Sequence, residues 1–360
     1  SSAASDVYKR QVNILDIFIK AREISAQYMG LSPVKKIIFR AMLCNPRFFS
    51  FCAEVSAPFR GLFMRRQNNA PRTLSSPLLA PIIADRRLPE LPKKTIHQKY
   101  GDYDTPAGKS GLKVLFFTGC MGDKVYPNVT EACLKIFKHY GIGVSMPSGL
   151  ACCGIPALAS GDADSFKKMA AYNLDILGKL EFDYVVTACA SCTETIEQFW
   201  PRYAEGAQKA TAEKISAKTL DISAFLVDVI GLEKPAQARV GAEGGRREKV
   251  TYHDSCHLAK SLGVRRQPRE LVKANPECEL IEMREPDTCC GCGGSFTLTH
   301  YDISKKIGGR KRENIVASGA DTVACGCPAC MMQISNMLAL NGDEVKVKHV
   351  AELYADSLGD

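Results

Sequence analysis

Apolar residues recur at helical spacing in residues 12–65 and predict two or three helices. "ILDIFIKAREISAQYMG" places Ile14, Ile17, Phe18, Ile24 and Met29 on one face and stops at Gly30. "SPVKKIIFRAML" opens on Ser32-Pro33, a helix start signal. Across residues 66–111 the periodicity fails. Pro71, Pro77, Pro81, Pro89, Pro92 and Pro106 interrupt it among charged residues, and the stretch reads as an extended proline-rich linker on a surface. From Lys113 the texture changes. "KVLFFTGC", "YVVTACASC", "VTYHDSCH" and "DTVACGCPAC" are short apolar runs ending in cysteine, separated by helical stretches such as the one placing Leu134, Ile136 and Phe137 inward. Short apolar strands alternating with helices predict an α/β fold with parallel sheets. Ligands of such sheets bind beyond the carboxyl ends of the strands. Cys120, Cys189, Cys256 and Cys327 all fall there.

The pattern occurs twice. Cys120 to Cys256 is a step of 136 residues, Cys153 to Cys290 of 137, and Cys192 to Cys330 of 138. "LDISAFL" and "KHVAELY" close the two copies in similar style. The expected organisation is a tail at 1–11 (a tag, a scar or a flexible end), a helical extension at 12–65 and the linker at 66–111. The first α/β domain follows at 112–232, a Gly- and Ala-rich linker at 233–248, and the second domain at 249–360.

Charge sharpens the reading of the N-terminal third. Residues 1–110 hold 18 Lys+Arg and 8 Asp+Glu, a balance of +10, against 29 and 31, or −2, in the rest. This excess reads either as a solvated basic surface or as a docking face for an acidic partner or membrane headgroups. Nucleic acid is not expected as a partner, because the basic residues are not interleaved with aromatic stacking platforms. No uninterrupted apolar run is long enough to span a bilayer, and no signal peptide is evident. The expected location is the cytoplasm, with peripheral association on the inner face of a membrane as its extension.

Sixteen cysteines without an export signal point to metal or redox work in a reducing compartment rather than to disulfides. The first copy contributes Cys120, Cys152, Cys153, Cys189 and Cys192. The second contributes Cys256, Cys289, Cys290, Cys327 and Cys330. Structural zinc wants four ligands, usually in two separated pairs. Adjacent thiolates restrain one another too tightly for one tetrahedral ion, but they can ligate different irons of a cluster. Gly154 and Gly291, directly after each Cys-Cys pair, let backbone pass close to a cluster and offer it an N–H. Iron–sulfur binding is the favoured reading. A zinc-stabilised scaffold, thiol chemistry and packing are the alternatives.

The two five-cysteine sets, with "YHDSCHL", "CCGCGGSF" and "GCPACMMQI", resemble the CCG or cysteine-rich domain of the heterodisulfide reductase B subunit. The resemblance to the iron–sulfur subunits of glycolate oxidase and of lactate-oxidising complexes is closer still, and it covers residues 113–354. It implies two pseudo-symmetric α/β domains, each holding one iron–sulfur cluster, an ordinary or a noncubane [4Fe–4S], on the ten cysteines named above. It also implies a partner flavoprotein that oxidises a 2-hydroxy acid. Members usually begin with paired ferredoxin-like cysteine runs. None is present here, so a truncated chain or a separate ferredoxin-like subunit is expected.

Two functions follow from the resemblance. One is electron transfer from a flavin-dependent 2-hydroxy acid oxidase to a quinone or other carrier. The other is disulfide reduction at a noncubane cluster. "GAEGGRR" lies in a linker and does not read as a phosphate loop. Cys44, Cys52, Cys133 and Cys278 read as small buried hydrophobes. Cys292 and Cys325 break the symmetry between copies and read as packing, second-layer or ligand residues. His253 and His257 read as satisfied or solvent-facing histidines, or as donors to cluster sulfur. Lys260, Arg265, Arg266 and Arg269 read as a solvated helix face, with an anion site as the sharper alternative.

Overall fold

The computed structural model describes residues 14–56, 65–67, 73–75, 84–232 and 246–359. The expected tail at 1–11 and most of the linker at 233–248 lie outside the described residues.

Each copy is a small parallel sheet with helices on both faces. The first three strands of the chain, β1 (Arg65–Gln67), β2 (Thr73–Ser75) and β3 (Leu88–Pro89), form a separate antiparallel sheet. The first copy then uses β4 (Tyr103–Asp104), β5 (Lys113–Phe117), β6 (Gly143–Met146), β7 (Tyr184–Thr187) and β8 (Thr219–Asp221), in the order β4-β6-β5-β7-β8. The second uses β9 (Glu248–His253), β10 (Cys278–Leu280), β11 (Thr322–Cys325) and β12 (Lys346–His349), in the order β10-β9-β11-β12. Without β4, which pairs antiparallel with β6, the two orders are the same and every pairing is parallel.

This order explains the apolar runs. β5 and β7 are central strands covered on both faces, and Val114 to Phe117, Val185 and Val186 are fully buried. In each sheet the chain steps from the first strand to one side and then returns to the other. The crevice at that reversal opens at the carboxyl ends of β5 and β7, and of β9 and β11.

The two copies interlock. Helix Pro127–Tyr140 of the first packs on helix Val350–Ser357 of the second, and helix Arg266–Ala274 of the second packs on the segment Ile222–Ile230 of the first. Helix Pro127–Tyr140 starts on Pro127 and ends at Gly141 with φ 65°, the left-handed cap that glycine favours. The Tyr140 and Tyr354 hydroxyls hydrogen-bond across this interface. Asn128 Nδ2 donates to Glu352 Oε1 at 2.6 Å beside them.

The helical extension consists of Ile14–Met29, Pro33–Lys36 running on into a wide π-turn segment Ile37–Leu43, and Pro46–Ser56. It lies on the first copy: Arg22 donates to the Ala159 carbonyl at 3.0 Å, and Arg40 pairs with buried Asp162 at 3.3 Å. The stretch expected to be an extended proline-rich linker on a surface also holds short strands and a helix. β2 and β3 pack on helix Pro328–Leu340 of the second copy, and Arg86 stacks 3.9 Å above the Tyr301 ring. Helix Ile96–Tyr100 and β4 then join the first copy, whose sheet therefore begins at Tyr103 rather than at 112. Two- and three-residue strands show no periodicity in sequence, and the prolines hid them. Among the described residues, no helix is long and apolar enough to cross a membrane.

Candidate metal centre

Each cysteine set converges at the carboxyl end of its sheet. Cys120 stands three residues beyond β5 in the short helix Gly119–Lys124. Cys189 lies two residues beyond β7 and begins the helix Ala190–Glu194 that carries Cys192. Cys256 and Cys327 hold the matching positions beyond β9 and β11. The Cys152-Cys153 and Cys289-Cys290 pairs come from the loops after β6 and β10.

The loops are held from behind. Asn173 accepts from the Ala151 N–H at 2.8 Å and donates to the Ala151 and Cys152 carbonyls at 3.3 and 3.1 Å. Trp200 Nε1 donates to the Cys153 carbonyl at 3.0 Å. In the second copy Ser304 Oγ donates to the Gly291 carbonyl at 2.7 Å. Lys311, 1% exposed, donates to the Glu285 and Pro286 carbonyls at 2.8 and 3.1 Å. Gly154 and Gly291 have φ of 98° and 88°, and a Cβ there would strike Phe166 and the Ser304 carbonyl respectively, each at 2.5 Å. The Gly291 N–H donates to Cys289 Sγ at 3.3 Å.

The sulfurs form one file through the molecule. Cys120 Sγ lies 3.7 Å from Cys152 Sγ. Cys153 neighbours Cys152 and Cys192, and Cys192 neighbours Cys189. Cys189 meets Cys327 of the other copy, beside a hydrogen bond from the Ala190 N–H to the Gly326 carbonyl at 3.1 Å. From Cys327 the file continues through Cys330 and Cys290 to Cys289, with Cys256 facing Cys289 and Cys327.

So many thiols in one place cannot all ionise, and most of them resist it. Thiol neighbours, then burial, push Cys152, Cys192 and Cys330 well above the ordinary thiol range. Cys289 acts on Cys290 in the same direction. Burial raises Cys256 to about 11. Three go the other way: neighbouring thiols hold Cys153 and Cys327 well below the ordinary thiol range, and the exposed Cys289 comes down to about 6, because Cys290, the Gly291 N–H and the charges of Lys260 and Lys311 favour its thiolate. A cationic metal–sulfide core would relieve this frustration by making thiolates the stable form. The donor set fits soft metal and disfavours oxygen-loving ions.

The two copies differ around this shared plan. Cys292 and Cys325, both buried, stand where the first copy has Ile155 and Thr187. Burial pushes Cys292 up to about 12 and raises Cys325 further. His253 is 1% exposed, neither satisfied nor solvent-facing as the sequence suggested. Among the described residues neither ring nitrogen has a partner in hydrogen-bond geometry, although the Pro286 carbonyl lies near the ring. A ring nitrogen of His253 and the sulfurs of Cys290 and Cys330 all lie within 4.8 Å of one another. His257 pairs with Glu194 of the other copy; burial opposes its protonation, and the Glu194 carboxylate outweighs burial and raises its pKa.

Other expectations need correction. Cys133 and Cys278 are buried, but Cys44 and Cys52 are only half-buried. Arg269 is not on a solvated face: at 18% side-chain exposure it binds Asp254 at 2.8 Å and Glu282 at 2.7 Å, and these carboxylates leave no room for an anion there. Arg266 pairs with Asp228 and Glu270 on the surface. Sequence reasoning missed Gly119, with φ 66°, where a Cβ would stand 3.0 Å from Cys192 Sγ. It also missed Ser191, Asn173 and Lys311. Only the glycine beside Cys120 offered a signal.

The cysteine-rich domain (CCG) family profile matches residues 114–197 and 250–335. The chain is 32% identical over 287 residues to the B subunit of fumarate reductase (CoM/CoB) from Methanothermobacter marburgensis, covering 78% of this chain but about half, 54%, of that protein. It is 30% identical over 246 residues to lactate utilization protein A of Exiguobacterium sp., covering 68% of this chain and 98% of that protein. An iron–sulfur protein of Methanocaldococcus jannaschii is 34% identical over 243 residues, with 67% of this chain and 45% of that protein covered. Among solved structures, glutamate racemase isoform RacE1 from Bacillus anthracis overlaps 68% of this chain and 79% of its own at 12% identity, with a TM-score of 0.28, too slight a likeness to bear on function. With the cysteine-rich domain present twice and these relatives, the chain belongs to the CCG cysteine-rich iron–sulfur proteins that include lactate utilization protein A.

Proposed function

We propose that this chain carries electrons within a multi-subunit oxidoreductase. It would take them from an FAD-dependent subunit that oxidises a 2-hydroxy acid, lactate or glycolate, and pass them to a quinone, another carrier or a ferredoxin-like subunit. Cys120, Cys152, Cys153, Cys189 and Cys192 would hold one [4Fe–4S] cluster, ordinary or noncubane. Cys256, Cys289, Cys290, Cys327 and Cys330 would hold the other. Bound clusters supply one-electron reduction and re-oxidation. The chain's own residues hold the thiolates, exclude water and set the local charge.

The observation that carries this reading is the meeting of Cys189 and Cys327 at the seam. It makes the two ligand sets neighbours, as a relay requires, and it leaves the outer ends of the file, Cys120 and Cys289, the less buried. The name of the 30% identical relative, lactate utilization protein A, supports a 2-hydroxy acid as the distant electron source. The other reading is disulfide reduction. It draws on the relative named for CoM and CoB and on exposed Cys289, where a substrate sulfur could approach.

Peripheral membrane association belongs to the same proposal. Phe18, Met29, Ile37, Phe48 and Phe51 are exposed on the helical extension, among exposed Lys36 and Arg47. An apolar face with basic neighbours suits an anionic bilayer surface.

The test is anaerobic purification followed by iron, labile sulfide and zinc analysis, and identification of co-purifying proteins. About eight irons and eight sulfides per chain, four of each per cluster, are expected. A flavoprotein that reduces the clusters when given lactate or glycolate is expected with them. Zinc without sulfide would refute the cluster reading. Cluster reduction only by a thiol–disulfide couple would favour the second reading.

A further inference from the structure

β5 ends on Phe117 and β9 on His253, each three residues before the first cysteine of its set. In the first copy this position only packs: the Phe117 ring meets Trp200 edge-on at 5.8 Å. In the second copy the same position carries a buried imidazole whose two nitrogens, among the described residues, have no partner in hydrogen-bond geometry, though the Pro286 carbonyl lies near the ring. Leaving such a group unsatisfied costs roughly 1–3 kcal/mol. Phenylalanine fills the equivalent site in the first copy without that cost, so packing alone does not explain the histidine. The imidazole is also directed. One of its nitrogens stands with Cys290 Sγ and Cys330 Sγ, all within 4.8 Å of one another. Lys311, Asp254, Cys327 and the Pro286 carbonyl also act on the ring.

We propose that His253 is a nitrogen partner of the second domain's iron–sulfur cluster, touching it beside Cys290 and Cys330, and that it makes this cluster easier to reduce than the first. The inference rests on the ligand reading given above. An N–H donated to a cluster sulfur stabilises the more negative, reduced cluster relative to a hydrocarbon neighbour. His253 would then set a direction along the file of thiols. An electron entering at the first domain would run downhill to the second.

The test uses the cluster-loaded protein, labelled with ¹⁵N-histidine, and nuclear hyperfine spectroscopy on each cluster's EPR signal. The second cluster's signal is assigned by its loss in Cys290→Ser. That signal should carry a nitrogen coupling that changes with the isotope. The coupling should persist in His257→Gln and His349→Gln and vanish in His253→Phe, the residue of the first copy. In His253→Phe the reduction equilibrium of the second cluster should fall at least tenfold, which is 59 mV for a one-electron couple, with the first cluster unchanged. Intact clusters without any histidine coupling, or a coupling and potential that survive His253→Phe, would overturn the proposal. Should His253→Phe fail to assemble, the labelled native protein with the His257 and His349 variants still decides. A protein without iron and sulfide would instead defeat the ligand reading itself.

Discussion

Ser191 Oγ lies 3.7 Å from Cys327 Sγ, so a hydroxyl from the first copy's cysteine loop reaches a sulfur of the second. The contact ties the two cysteine sets across the seam. An O–H donated to a thiolate stabilises the electron-rich state of the cluster it ligates. At about 1 kcal/mol for one hydrogen bond, Ser191→Ala should lower the second cluster's midpoint potential by roughly 40 mV. The first cluster, whose own ligands are untouched, should move less. Potentiometric EPR checks both. Equal shifts of the two signals, or none, would contradict the assignment of Cys327 to the second set.

The ligand sets themselves can be separated. Asn173 and Trp200 anchor only the Cys152-Cys153 loop, and Ser304 only the Cys289-Cys290-Gly291 loop. Cys152→Ser should therefore abolish or alter the first cluster's EPR signal and leave the second. Cys290→Ser should do the reverse. Cys44→Ser, at a half-buried thiol that contacts only the Ser165 carbonyl in its hydrogen bonding at 3.6 Å, should leave iron content unchanged. Both signals persisting in Cys152→Ser would show that the cysteines are grouped differently.

The difference between these loops shows what was and was not legible in the sequence. The strands ending at Phe117, Thr187, His253 and Cys325 could be read directly, because fully covered parallel strands are unbroken apolar runs. The five-cysteine spacing marked both candidate sites for the same reason: the sheet ends are fixed by those runs. The 66–111 stretch misled, because β1 to β4 are too short to show a period, and β2, β3 and β4 are held by helix Pro328–Leu340 and by β6, both remote in sequence. The meeting of Cys189 with Cys327 was hidden as well. It arises from docking helix Pro127–Tyr140 on Val350–Ser357, and no local pattern encodes that pairing. Arg269 looked like one of several surface charges until Asp254 and Glu282 closed around it.

Lys311 was equally invisible as a functional residue, one of three lysines in a long polar helix. Burial lowers its pKa, while the nearby thiols of Cys290 and Cys325 act to raise it. A positive charge there would favour the reduced state of the second cluster. Lys311→Met should lower that cluster's reduction equilibrium about tenfold, near 59 mV, and leave the first unchanged. It should also cost about 2 kcal/mol of stability, since the Glu285 and Pro286 carbonyls lose their donor. Potentiometry and denaturant unfolding measure the two effects. A stability loss with no change in potential would reduce Lys311 to a structural prop.

Asp123 offers a test of the fold apart from the clusters. It is 4% exposed; its Oδ1 accepts from the His97 backbone N–H at 3.1 Å and lies 2.9 Å from His97 Nδ1, with Lys124 Nζ on Oδ2. Burial works to raise its pKa, but His97 and then Lys124 outweigh burial and hold it at about 2, below the ordinary 3.8. A carboxyl depressed on folding adds stability above its unfolded pKa and loses it as pH falls through the folded value. The gain at neutral pH is about 2 kcal/mol. Asp123→Asn should therefore be less stable than the native chain by about that amount at pH 7. The gap should narrow between pH 4 and pH 2 as the native carboxyl takes up its proton. Denaturant unfolding of both chains in the same cluster state, at pH 7, 4 and 3, gives the comparison. A gap that stays constant over that range would mean that the charge of Asp123 does not help to fasten helix Ile96–Tyr100 to the Cys120 helix.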